Sequence, residues 1–122
     1  MHWMTRCRRL MAVCALLPLF ILPAHADGCL TRAALGEWLT RNVPQAKVGV
    51  LVGEEARLFL AALNARPPQT AYEAEEIVVV DAPQDVQAVR VGLFRAGCLV
   101  QAGRIPRTLM RALLNDVERG KA

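Results

Sequence analysis

Residues 76–101 read EIVVVDAPQDVQAVRVGLFRAGCLVQ, and this stretch decides the fold. Ile77-Val78-Val79-Val80 is a β-branched run of the kind that fills a buried strand. Pro83-Gln84-Asp85 supplies turn chemistry. Val89, Val91 and Leu93 then alternate with Arg90 and Gly92, the period-two pattern of a half-buried strand. Gly92 within that pattern marks a bulge or a close backbone approach. Ala96-Gly97 allows a tight reversal into a further strand over residues 98–101. Three successive strands joined by short turns predict an antiparallel meander.

Upstream of the meander, Thr31 is placed to cap a helix whose apolar face is Leu35, Trp38 and Leu39. Asn42-Val43-Pro44 ends it, because the residue before a proline avoids the helical region. Residues 48–52 (Val-Gly-Val-Leu-Val) read as a short strand, punctuated by Gly53. Residues 54–65 read as a helix with Leu58, Phe59, Ala62 and Leu63 inward, and Glu54 and Glu55 complement the positive end of its dipole. Pro67-Pro68 stops it, and residues 66–72 form the longest loop. Downstream, Pro106 suits the first turn of a final helix that runs to about Arg119, with Gly120 as its stop. The order is therefore α-β-α-β-β-β-α. It predicts a small two-layer α+β domain, a three-strand antiparallel meander plus one further strand, with the helices on one face.

The chain has 122 residues, and the first 26 read as a cleavable export signal. Arg6, Arg8 and Arg9 give a positive start, residues 10–22 are apolar apart from Pro18, and Ala24-His25-Ala26 offers a cleavage site before Asp27. The apolar stretch is too short for a spanning helix, which needs roughly 20 residues. The expected product is one domain over residues 27–122, periplasmic or secreted. The formal charge of +4 then shrinks to +1, since three of the 15 basic residues lie in the signal. So balanced a chain does not point to specific nucleic-acid binding.

Cys29 and Cys98 are the cysteines outside the signal, an even pair in a chain bound for an oxidising compartment, and are expected to form a disulfide. Residue types also restrict chemistry. The sequence contains no Ser, and its two histidines, His2 and His25, fall in the signal. Ser nucleophiles, His general bases and His metal ligands are thereby missing from residues 27–122. No cofactor or metal motif is present, and Glu73, Glu75 and Glu76 lack the alternating oxygen ligands of a calcium loop. They read as a solvated strand entrance, although a carboxylate-based enzyme would draw on them.

Projected at 100° per residue, Ile105, Leu109, Met110, Leu113, Leu114 and Val117 fill one side of the final helix. Arg104, Arg107, Arg111, Asn115 and Glu118 lie opposite. The three arginines are the candidate anion-binding residues, for phosphate, a lipid headgroup or an acidic partner surface. A solvated helix face would give the same pattern. The function expected is that of a small exported, non-catalytic binding or interaction protein with a protein partner, an inhibitor or envelope accessory in kind. The alternative is an anion-binding module that uses the Arg face of the final helix on membrane phosphate or nucleic acid, with weak contact to anionic membranes. The second alternative is a His-free, carboxylate-based enzyme.

Overall fold

The structure, a computed structural model, describes residues 19–21 and 29–121. The export-signal reading of residues 1–26 therefore lies outside the described residues, except for the backbone of Leu19–Ile21. The elements are β1 (Leu19–Ile21), α1 (Arg32–Asn42), β2 (Lys47–Val52), α2 (Gly53–Asn64), β3 (Glu76–Asp81), β4 (Ala88–Arg95), β5 (Cys98–Pro106) and α3 (Arg107–Lys121). From α1 onward the order is α-β-α-β-β-β-α, the small α+β domain that the sequence predicts. The sheet runs β1-β5-β4-β3-β2 with every neighbour antiparallel.

Most local signals act as expected, but Pro106 ends β5 rather than opening α3, and Gly120 lies within α3 rather than stopping it. Thr31 caps α1, its Oγ1 accepting from the Ala34 amide at 3.1 Å. Ala96 and Gly97 both have positive φ, 52° and 83°, and join β4 to β5 in a two-residue turn that matches the twist of the strands. Beside Gly92 the ladder shifts register at Leu93/Phe94. A Cβ on Gly92 would meet Leu99 Cδ1 at 3.0 Å, so side chains close over it where the sequence suggested backbone. Tyr72, at the end of the long loop, is buried, and the Asn64 side chain both donates to its carbonyl (3.0 Å) and accepts from its amide (2.9 Å).

Alternation along the strands builds two cores. Ile77, Val89, Val91, Leu93 and Ile105 face α2 and α3, where they meet Phe59, Leu63, Met110, Leu113 and Val117. Val78, Val80, Phe94 and Ala102 point the other way, against Leu35, Leu39 and Val43. Helix α1 thus lies on the face opposite α2 and α3, and the expectation of helices on one face is corrected in this respect. The physical reason is the unbroken run Ile77-Val78-Val79-Val80. A strand apolar on both sides is stable only when both sides are covered. The Cys29–Cys98 disulfide, with Cα atoms 5.2 Å apart, ties the start of α1 to the start of β5. The Leu99 amide donates to the Leu30 carbonyl at 2.8 Å beside it.

Candidate functional site

The three arginines singled out from the sequence do not share a helix face. Arg104 belongs to β5, paired with Arg90 of β4, and α3 begins only at Arg107. Since Val89, Val91 and Ile105 face α2 and α3, Arg104 and Arg90 point to the α1 side. Ladder pairing keeps this segment extended through Pro106, which overrides the helical projection. Arg104 donates to Asp85 Oδ1 at 2.7 Å.

Arg107 is held on the other side of the same turn. Its Nη2 donates to Asp81 Oδ1 at 2.5 Å and to the Asp85 carbonyl at 2.7 Å, while Nε donates to the Val86 carbonyl at 2.8 Å. The hydrogen bond from Arg107 is the main cause that lowers the Asp81 carboxyl below its ordinary range. The same bond raises the Arg107 pKa. Lys47, opposite Asp81 in the β2–β3 ladder, adds a smaller attraction.

Arg111 differs from both. Among the described residues it has neither hydrogen bond nor ion pair, and it lies exposed one turn along α3 from Arg107. It stands at the rim of a cavity of about 360 Å³ between α3 and the ends of β3 and β4. Val79, Val89, Met110 and Leu114 supply its apolar lining, and Asp81, Arg107, Arg111 and Asn115 its polar one. The corner as a whole gathers four cations, Lys47, Arg104, Arg107 and Arg111, around two carboxylates, Asp81 and Asp85. Its excess charge is positive, and among the described residues Lys47 and Arg111 are its two cations that make neither hydrogen bond nor ion pair, Arg111 being the one that lines the cavity.

Sequence reasoning found Arg107, Arg111 and Asn115 but not the acidic partners or the apolar lining. The available signal was the position of Asp81 and Asp85 at either end of the turn that joins two apolar strands. The acidic run before β3 is engaged elsewhere. Glu73 pairs with Arg95 at 3.4 Å, Glu75 accepts from the Ala96 amide at 3.0 Å, and Glu76 accepts from Arg32 at 3.2 Å. Among the described residues no three His, Cys, Asp or Glu side chains gather as a metal site. No protein family, curated protein or solved structure compared with this chain matches it.

Proposed function

We propose that this protein is a small exported, non-catalytic binding protein, and that the cavity beneath α3 takes an amphipathic anion, an acid group carried on a short hydrocarbon chain. The observation that carries the reading is the Arg111 guanidinium, unpaired among the described residues, at the rim of an apolar cavity and beside an Arg107 that is already engaged. An acid group placed there gains a charge-assisted hydrogen bond from Arg111, and the Asn115 amide is a second donor. Its hydrocarbon part covers Val79, Val89 and Met110, which favours binding by the apolar area withdrawn from water. The cavity volume falls within the range of about 300–1,000 Å³ common to small-molecule sites. The non-catalytic part rests on the absence of Ser and the confinement of His to positions 2 and 25. Export is supported by the Cys29–Cys98 disulfide, a bond that persists in oxidising compartments.

The test is a titration with octanoate, followed by amide NMR shifts, with octyltrimethylammonium as the cationic comparator. Octanoate is expected to move the signals of Val79, Met110, Arg111 and Leu114, and Arg111→Gln to weaken it roughly tenfold. Equal binding of the cation, or shifts elsewhere on the surface only, would sink the reading.

A further inference from the structure

Strand β2 is one edge of the sheet, opposite β1, and among the described residues nothing pairs with its outer side. Natural edge strands are usually blunted by a bulge, a proline or inward-pointing charge. β2 has none of these over its six residues and meets β3 without a register shift, with Lys47 its single charge at one end. Val48, Val50 and Val52 are 49%, 37% and 50% exposed, three apolar side chains in a row on the α1 side of the sheet. Helix α1 does not cover them, because its buried residues pack over β3, β4 and β5.

We propose that β2 pairs antiparallel with β2 of a second copy of this chain, extending the two sheets into one across a twofold axis at Val50. Three features make the edge self-complementary. With Val50 opposite Val50, Val48 meets Val52 at both ends, so all six valines pair with one another on one face; a shift by two residues leaves one valine of each strand opposite a non-valine. On the other face Leu51 comes opposite Gly49, where a side chain has open space, with no atom within 4 Å of a built Cβ. Charge agrees with the antiparallel direction. Lys47 begins the strand and the acidic start of α2 follows its end, with Glu54 already held by Arg57 at 2.6 Å, so antiparallel pairing brings Lys47 towards that acidic end twice, whereas parallel pairing stacks like on like. A net charge of only +1 over residues 27–122 adds little general repulsion between copies. This inference is independent of the ligand proposed for the α3 cavity.

Sedimentation velocity of the full chain over a concentration series tests it, together with hydrogen exchange of the β2 amides. The expected result is a mass that doubles with concentration, β2 amides that slow as the dimer fills, and a Val50→Lys variant that keeps its circular dichroism but self-associates at least roughly tenfold more weakly. A monomer at every concentration overturns the proposal. So does a dimer that Val50→Lys leaves intact, or one whose formation leaves β2 exchange unchanged.

Discussion

Arg107 joins α3 to Asp81 at the end of β3, and the same guanidinium closes the turn between β3 and β4. One Nη2 serves the Asp81 carboxylate at 2.5 Å and the Asp85 carbonyl at 2.7 Å, and Nε serves the Val86 carbonyl at 2.8 Å. The planar fork of donors is what allows one side chain to satisfy an acid and two backbone groups together.

Replacing Arg107 tests that arrangement. Arg107→Ala is expected to lower the melting temperature and loosen residues 82–87. Arg107→Lys should recover only part of the loss, since an ammonium on a flexible stem does not reproduce the fork. Thermal melts of the three proteins read the order directly. A lysine variant as stable as the parent would show that charge alone matters.

The pH dependence of this clasp has a definite sign. Asp81 has an ordinary pKa of 3.8, and in the folded chain Arg107 holds it lower, chiefly through the hydrogen bond. A carboxyl depressed on folding contributes stability that is fully present above its unfolded value and is lost as pH falls through its folded value. The stability gap between the parent and Asp81→Asn should stay constant from neutral pH down towards 3.8 and close below it. Urea unfolding at stepped pH gives the gap. A gap that widens in acid contradicts the assignment.

Cys29 and Cys98 are 69 positions apart, so their bond constrains a long loop in the unfolded chain. Replacing both by Ala should cost about 4 kcal/mol in the chain-entropy account. The first amides to lose exchange protection should be those of α1, which the bond anchors to β5. Retention of α1 protection with global stability unchanged would show that the packing of Leu35 and Leu39 suffices.

Ala96 adopts φ 52°, a left-handed conformation that disfavours a Cβ. Ala96→Asn should therefore stabilise the protein by about 0.5–1 kcal/mol, and Ala96→Val should destabilise it by at least about 1 kcal/mol. Urea midpoints with unchanged slopes settle the comparison. An unaffected or lower midpoint for the Asn variant would place the turn in a different conformation.

Much of this architecture was legible because its causes are local. Thr31 caps a helix because its hydroxyl reaches an amide three residues on. Ala96-Gly97 turns because Gly tolerates positive φ. The alternation of Val89, Val91 and Leu93 specifies one buried face whatever lies above it. The cysteine pair could be joined by arithmetic alone. The candidate site was less legible, since Arg107 and Arg111 were visible but the acids that engage one and spare the other were not.

From α1 onward, sequence alone thus determined the kinds of element, their order and the antiparallel meander, since propensity, capping and turn chemistry act within a few residues. It did not determine β1 or the length of β5, which rest on pairing between distant segments. The tertiary structure decided everything that depends on which surfaces meet. It placed α1 across the sheet from α2 and α3, because both sides of Ile77-Val78-Val79-Val80 must be covered. It kept Arg104 in β5, because pairing with Arg90 outweighs a helical period that continues into α3. Among the described residues it left Arg111 without a partner and Val48, Val50 and Val52 uncovered, and such vacancies are set by how far neighbouring elements reach. Side-chain periodicity reports that a face exists; only packing in three dimensions determines what lies against it.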